Sequence, residues 1–338
     1  MAEPEQDSRG LKRRSVLAAG AALTTGTVVT ARHAAAQRGE RVRRIGWLGP
    51  HDVRPAFKER MRDLGWIEGR NLTYETRRAD ERSRELAPFL AKELVDAKVD
   101  IVVAVAPTAI RAAMQATREI PIVMAWWGGP DLVASGLIAS YARPGGNTTG
   151  VDMLLSVLDA KRLDVLHRTV PRARKIAVLV HNQQIFEPQM PAVRDVARRA
   201  GLTLEIADTR DREIGYDEAF ALMARTQCEA LLVMSSPVFF RDRDLIIRRA
   251  AFARLPAIYA ETMAVREGGL VAYGTIGAEL DRQAARQVDK ILRGERPGEQ
   301  PVEQPSRYEM AINVASAKAL GLDIPQALLL QADHVIGA

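Results

Sequence analysis

Few residues in this chain combine a reactive side chain with the spacing that catalysis requires. Ser235 and His181 could form a Ser-His-Asp triad with an aspartate, but no G-x-S-x-G motif surrounds the serine. His181 stands beside the amides 182–184, and no second histidine or carboxylate follows at the spacing of a metal site. We therefore expect a protein that binds and does not catalyse, with no cofactor and no metal.

The first candidate for binding a polar group is Ala106-Pro107-Thr108, which follows the apolar run 101–105. Proline is favoured at the first position of a helix. The N–H groups of the first helical turn, together with the Thr108 hydroxyl, form an acceptor site for a carboxylate or another anion. Alternatively, Thr108 only caps that helix, and the sequence does not decide between the two.

Trp126 and Trp127 end the apolar run that begins at residue 122. Successive side chains of a strand point to opposite faces, so one ring should pack under a helix. The other could line a cleft and stack on a planar or aliphatic ligand, although ordinary packing of both is the alternative. Asp131 follows them and is expected to cap a short helix, with ligand contact as the second interpretation.

The remaining candidates for ligand contact lie in turn-rich passages that adjoin other apolar runs. The passage 143–150 is rich in glycine but lacks the Lys-Ser/Thr ending of a phosphate loop, so nucleotide binding is not indicated. These further candidates are Asn147, Asn182, Ser235, Ser236, Glu261, Tyr273 and Thr275.

Many of these candidates follow a short apolar run that opens into Pro, Gly, Thr or Asp before a segment of helical period. That pattern is typical of the βα units of a parallel sheet, whose strands are buried on both faces. It occurs over 44–155 and begins again at 175–180. Ligands of such sheets lie beyond the carboxyl ends of the strands. We therefore predict two similar α/β lobes whose strand-end loops could face each other.

The composition suits two globular domains. The chain has 338 residues, of which 47% are hydrophobic and 27% are charged, so each half can bury a core. The net charge of +6 does not indicate nucleic-acid binding, because basic residues alternate with acidic ones, as in 241–244. Cys228 is the one cysteine; it cannot form an internal disulfide and is expected to pack as a small apolar residue.

The first 36 residues have the pattern of an export signal. Arg13 and Arg14 precede a weakly hydrophobic stretch, and 34–36 offer the small residues of a cleavage site. The arginine pair resembles a twin-arginine signal, although Val16 stands where Phe is common. The stretch is shorter than the roughly 20 residues of a membrane span. We expect cleavage after Ala36 and a soluble protein in a bacterial periplasm.

Several segments together resemble one family. They are Leu64-Gly-Trp-Ile-Glu-Gly-Arg-Asn71, Ala139-Ser-Tyr-Ala-Arg-Pro-Gly-Gly-Asn-Thr-Thr-Gly150, Pro301-Val-Glu-Gln-Pro-Ser-Arg307 and Ala317-Lys-Ala-Leu-Gly-Leu-Asp-Ile-Pro325. The chain is similar over nearly its whole mature length to the ABC-transporter substrate-binding family that includes tryptophan- and tyrosine-binding proteins. The resemblance implies a type I periplasmic binding fold, with two Rossmann-like lobes of parallel sheet, three hinge crossings and a ligand in the cleft.

The resemblance also implies roles for single residues. Pro107 and Thr108 match the loop that receives a ligand's polar end, and Asn182 matches an Asn that often ends the first strand of the second lobe. The tryptophan pair departs from the family pattern. Thr275 stands where members that bind aromatic amino acids often carry an Asp for the ligand's ammonium group, which weakens an amino-acid assignment.

The functional hypothesis is a periplasmic solute-binding component of an ABC importer. It predicts a small organic ligand, such as an aromatic amino acid or a related compound, a transient permease partner and a monomer. One lobe would comprise 41–155 with about 277–305, and the other 156–276 with about 306–338. A sensor that feeds a receptor kinase and a periplasmic α/β enzyme stay open as alternatives. Transcription regulators share the fold, but here an export signal occupies the place of a helix-turn-helix.

Overall fold

The computed structural model describes residues 41–78, 85–209 and 215–337. The expected signal peptide, 1–36, lies outside the described residues. The strands are β1 (Arg43–Gly49), β2 (Leu72–Arg78), β3 (Ile101–Val105), β4 (Ile122–Trp127), β5 (Thr148–Asp152), β6 (Lys175–Val180), β7 (Thr203–Asp208), β8 (Ala230–Val233), β9 (Ala257–Tyr259), β10 (Val271–Thr275), β11 (Tyr308–Asn313) and β12 (His334–Ile336).

The helices connect and cover these strands. They are α1 (Pro55–Asp63), α2 (Ala87–Asp96), α3 (Ala106–Ala116), α4 (Leu155–Thr169), α5 (Gln183–Phe186), α6 (Met190–Ala200), α7 (Gly215–Arg225), α8 (Pro237–Arg241), α9 (Arg243–Phe252), α10 (Thr262–Arg266), α11 (Gly277–Leu292), α12 (Val314–Ala319) and α13 (Gln326–Leu329), with a 3-10 turn at Pro297–Glu299.

The strands form two separate sheets. The first has the order β2-β1-β3-β4-β5 and is parallel throughout. The second has the order β12-β11-β10-β9-β8-β6-β7 and is parallel except where β11 runs against β10. Helices cover both faces of each sheet, which is why a strand such as β3 is buried at every position. The predicted fold class, two α/β lobes of parallel sheet flanked by helices, is confirmed.

The chain passes between the two sheets three times. The first crossing joins β5 to α4 at residues 153–154, and the second joins β10 to α11 at Ile276. The third leads from Glu303, which bridges to Val151 beside β5, to the start of β11. Because α11 packs its apolar face on the first sheet together with α1, residues 277–292 lie with that sheet.

One strand departs from the sequence-based expectation. The passage 143–150 is turn-rich in sequence, yet β5 begins within it and every residue of Thr148–Asp152 is buried. Only Val151 in this strand is a large apolar residue, so its sequence lacks the apolar run that indicates a strand. Its pairing with β4 and the bridge to Glu303 supply the hydrogen bonds that its burial requires.

Candidate functional site

The loops at the carboxyl ends of the parallel strands carry backbone strain. Here the first mouth denotes the loops after β1, β3, β4 and β5, and the second mouth those after β6, β8, β9 and β10. Four non-glycine residues at strand ends have positive φ: Ala106 (71°), Trp126 (62°), Leu154 (53°) and Asn182 (67°). A left-handed conformation costs such residues about 1–2 kcal/mol, and strain of this kind concentrates at functional sites.

A β-bulge decides the directions of the two tryptophans. The pairing of β4 with β5 shifts between Met124 and Trp127, so Ala125 and Trp126 lie opposite the single residue Val151. Ala125 and Trp126 therefore both contact the core on the α1 and α11 side, whereas Trp127 contacts the core on the α3 side. The indoles lie on opposite faces of the sheet, but not by simple alternation.

Only one of the two indoles reaches the first mouth. Trp127 is fully buried, donates its Nε1–H to the carbonyl of Pro130 at 2.9 Å and lies under the Arg111 guanidinium. Trp126 is partly exposed at the end of β4. Trp127 is thus a core residue, and Trp126 is the aromatic candidate for the site.

Trp126 belongs to an Arg–Trp–Asp cluster, which we name the inner triad. The Arg54 guanidinium lies over the indole ring, 4.2 Å from its centroid. Arg54 Nε donates to Asp281 Oδ2 at 2.8 Å, and Trp126 Nε1 donates to Asp281 Oδ1 at 2.9 Å. Burial raises the pKa of Asp281, and the Arg54 charge opposes that shift. The triad joins the loop after β1, the end of β4 and the first turns of α11.

The amino end of α3 offers uncapped donors at the end of β3, the strand between β1 and β4. Val105 is the N-cap residue, Pro107 lies within the first turn, and no side chain caps the helix. Thr108 is therefore not the cap of α3, and its partly exposed hydroxyl makes no hydrogen bond within the described part of the chain. The backbone N–H groups and this hydroxyl can donate to an anionic or carbonyl oxygen.

The second mouth is built around a buried ion pair. Arg162 and Asp159, one helical turn apart on α4, are almost fully buried and hydrogen-bonded to each other. Arg162 Nε also donates to the carbonyl of Tyr273 at 2.7 Å, which ties α4 to the end of β10. Burial raises the pKa of Asp159, and Arg162 opposes that shift. This pair therefore holds α4 against the end of β10 at the second mouth.

Glu261 lies at the end of β9 without such a partner. No hydrogen bond to its carboxylate occurs among the described residues, and the side chain does not cap α10. Burial raises the pKa of Glu261 to about 7, although Arg162 and Arg243 lower it and Asp159 adds to the rise. A carboxyl group in this state can accept a proton or a hydrogen bond from a ligand.

Of the other candidates at the second mouth, some cap a helix and others are partly exposed. Ser236 caps α8 by accepting from the Val238 N–H, and Asn182 Oδ1 accepts from the Gln184 N–H. Ser235 is partly exposed after β8. Tyr273 stacks on Tyr308, with ring centroids 5.9 Å apart. Thr275 is the partly exposed last residue of β10.

Two candidates have positions that explain them without a ligand. Asn147 precedes β5, at the edge of the first sheet opposite the mouth, and donates to the carbonyls of Thr117 and Ile120. This geometry removes Asn147 from the candidate site. Asp131 accepts from the Ala134 N–H at 2.7 Å, as the expected cap of a short helical turn.

Sequence reasoning missed four residues of the two mouths: Arg54, Asp281, Asp159 and Arg162. A signal was present on α11, where Asp281 lies among Leu280, Ala284 and other residues of the apolar face. A second signal was the i, i+3 pair on α4, a helix whose other inward residues are mostly leucines and valine. Charges within an apolar face are buried in pairs or serve a site.

The described residues contain no helix that is long and apolar enough to cross a bilayer. They also contain no group of three or more His, Cys, Asp or Glu side chains arranged to hold a metal ion.

Comparison with protein families gives a match over most of the chain. The family model of the ABC transporter substrate-binding proteins matches residues 50–336. The chain belongs to this family. This substrate-binding protein is 25% identical, over 80% of its own length and 76% of the relative's, to a tyrosine-binding protein of Clostridioides difficile (strain R20291).

Two solved structures share the fold of this substrate-binding protein. A conserved domain protein from Vibrio cholerae O1 biovar eltor has a TM-score of 0.78 and 22% identity, covering 87% of this chain and all of the other. An ABC domain from Streptococcus pneumonia in complex with L-Trp has a TM-score of 0.73 and 22% identity, covering 86% of this chain and all of the other. The tyrosine-binding protein and the ABC domain in complex with L-Trp are described as binding solutes, which favours a binding role over an enzymatic one.

Proposed function

We propose that this chain is the periplasmic solute-binding component of an ABC importer and captures a small organic molecule between its two mouths. The observation that carries the proposal is that both sheets end in strained loops with free polar groups, while three crossings join the sheets. Crossings of this kind allow one lobe to rotate against the other. A ligand that contacts both mouths favours the closed form because only that form provides both sets of contacts.

The proposed binding groups divide between orientation and apolar contact. Thr108, Ser235 and the side-chain amide N–H groups of Asn182 offer hydrogen bonds, and Trp126 offers the edge of its ring. Pockets for small molecules combine apolar walls with a few such polar groups. Glu261 and Thr275 add acceptors at the second mouth. Names of the relatives make an aromatic amino acid or a related compound the first ligand to test.

Transport requires export and a membrane partner, and we propose both. The export signal at 1–36 would deliver the mature chain to the periplasm as a monomer. Closure around the ligand would then present one surface of both lobes to the permease, which binds the closed form more tightly than the open one.

A ligand screen tests this proposal. We expect a thermal-shift screen across aromatic amino acids, aromatic acids, ureas and purines to yield compounds that raise the melting temperature. Ligand at 100 times its Kd stabilises the folded state by about 2.7 kcal/mol. Native mass spectrometry of the purified protein should show the same ligand class bound one to one. If neither method detects a ligand, the proposal fails.

Thr108→Val provides the matched variant, because valine keeps the shape of the side chain and removes the hydroxyl. It should weaken binding of the best compound about tenfold, as expected for one lost hydrogen bond of about 1.4 kcal/mol. Thr226→Val is the control, because Thr226 donates to the Leu222 carbonyl at the end of α7 and precedes β8, at the edge of the second sheet opposite its mouth.

A further inference from the structure

Arg54 is held rigidly but uses only part of its hydrogen-bonding capacity. Its Nε donates to Asp281 Oδ2, and its plane lies over Trp126. Both Asp281 oxygens are already occupied, one by Arg54 and one by Trp126 Nε1. The Nη1 and Nη2 groups of Arg54 make no hydrogen bond within the described part of the chain. Four N–H bonds on a fixed guanidinium therefore remain available.

Arg54 lies at the first mouth. Arg54 precedes α1 in the loop after β1, and it reaches Trp126 at the end of β4. Arg54 therefore joins the ends of β1 and β4, the two neighbours of β3, and α3 begins at the end of β3. Nη2 lies 3.6 Å from the point where a Cβ on Gly277 would stand, so it also adjoins the second crossing.

The rest of the first mouth suits an anion. The side chain of Arg54 is 28% exposed, whereas that of Asp281 is 3% exposed. Solvent or a ligand can therefore reach the arginine but not its carboxylate partner. The uncapped amino end of α3 adds further donors. The Asp281 carboxylate is neutralised by Arg54. The exposed carboxylates of the same mouth are engaged elsewhere, Asp52 with Arg78 and Asp131 with the Ala134 N–H.

We propose that Arg54 binds a carboxylate of the ligand through its two terminal amino groups, with Trp126 and Asp281 holding the guanidinium in place. This inference rests on the proposed function and narrows the ligand to the carboxylic acids. The Nη1–Nη2 edge of a guanidinium matches the two oxygens of a carboxylate, whereas a lysine offers only a point charge. Asp281 and Trp126 act as positioning residues.

Matched acid and amide probes test the inference. The probes are indole-3-acetate with indole-3-acetamide, benzoate with benzamide, and L-tryptophan with L-tryptophanamide. We expect calorimetry to show that at least one acid binds the wild-type protein and binds at least about tenfold more tightly than its amide. Arg54→Gln should reduce this preference to within about twofold, and Arg54→Lys should restore only part of it.

Arg293→Gln is the matched control, because Arg293 also stacks on a tryptophan and bonds to an α11 aspartate. It should leave the preference for the acid unchanged. Far-UV circular dichroism establishes that each variant is folded.

Three outcomes overturn the inference: no acid binds, an amide binds the wild type as well as its acid, or the preference survives Arg54→Gln. A neutral or cationic ligand found by the thermal-shift screen would leave the proposed function intact while excluding the role of Arg54. Failure of that screen and of native mass spectrometry would exclude the proposed function itself.

Discussion

The first lobe contains two Arg–Trp–Asp clusters with the same chemistry in different surroundings. The inner triad is Arg54, Trp126 and Asp281. The outer triad comprises Arg293, Trp66 and Asp289, in which Asp289 Oδ1 accepts from both Arg293 Nε (2.6 Å) and Trp66 Nε1 (2.8 Å). Both aspartates belong to α11 and are eight residues apart, so they lie on one side of the helix.

The two triads differ in burial and in the use of their arginines. Side-chain exposure is 28% for Arg54 and 57% for Arg293, and 3% for Asp281 and 13% for Asp289. The guanidinium lies 4.2 Å from the ring centroid in the inner triad and 5.8 Å in the outer one. Arg293 Nη2 donates to the Leu64 carbonyl, whereas the terminal groups of Arg54 make no hydrogen bond to any residue that the structure describes.

These differences fit a structural role for the outer triad and the proposed binding role for the inner triad. The outer triad joins the carboxyl end of α11 to the chain that follows α1 and completes its hydrogen bonds within the protein. The inner triad holds its arginine at the strand ends with donors left over. The same three residue types therefore suit different roles because they lie in different places, one set at the strand ends and the other at the carboxyl end of α11.

Replacing the aspartates should give the largest difference in unfolding free energy between the two triads. Asp281→Ala leaves a half-buried guanidinium and an indole N–H without their acceptor, so we expect the free energy of unfolding to fall by about 3 kcal/mol. Asp289→Ala should cost less than about 1 kcal/mol, because water can replace the carboxylate at a more exposed site. Urea denaturation measures both. Equal losses of unfolding free energy would show that the difference in burial between the two triads has no effect on stability.

The carboxyl group of Glu261 contrasts with that of Asp281, because it lies at the other mouth and accepts no hydrogen bond from the residues in 41–78, 85–209 and 215–337. Its pKa is raised from 4.5 to about 7. The folded state therefore keeps a proton that the unfolded chain releases. The resulting stabilisation is fully present below pH 4.5 and is lost as the pH rises through about 7.

We expect Glu261→Gln to remove a decline of about 2 kcal/mol in the free energy of unfolding between these pH values, after allowance for partial exposure. Chemical denaturation at pH 4.5, 6 and 8 measures the difference between wild type and variant. A difference that does not change with pH would contradict the expectation.

Replacing the arginines should give the smallest difference in stability between the two triads. Arg54→Gln loses a cation–π contact and a bond to a buried carboxylate, which together should cost about 1–2 kcal/mol. Arg293→Gln should cost at most about 0.5 kcal/mol, as expected for an exposed ion pair. Thermal unfolding at low salt and at 0.5 M salt would compare the two. A larger loss for Arg293→Gln would reverse the assignment of inner and outer roles.

The fold was largely predictable because its strands are short apolar runs between turn residues. Ile101–Val105 and Lys175–Val180 are nearly continuous in apolar residues, since both faces of each strand are covered. β5 could not be predicted in this way. Its residues are small or polar, and neighbouring segments, more than its own side chains, account for its burial.

The candidate site was predictable only where it follows a strand directly. Thr108, Trp126 and Ser235 come immediately after or at the end of apolar runs, so their position at a mouth follows from the pattern. Arg54 and Asp281 are 227 residues apart in sequence. No local periodicity joins them, because α11 reaches the first sheet only after the chain has crossed from the second.

The sequence by itself determined two sheets of mostly parallel strands and the loops that end those strands, because apolar runs and turn residues are local properties. The tertiary structure alone decided which tryptophan reaches the mouth. A bulge in β4, set by its pairing with β5, turns Trp126 toward α11 and Trp127 into the core. The bulge thereby places Trp126 between Arg54 and Asp281. The physical reason is that hydrogen bonds between distant segments fix the register of β4 against β5, so neither segment alone determines where Trp126 points.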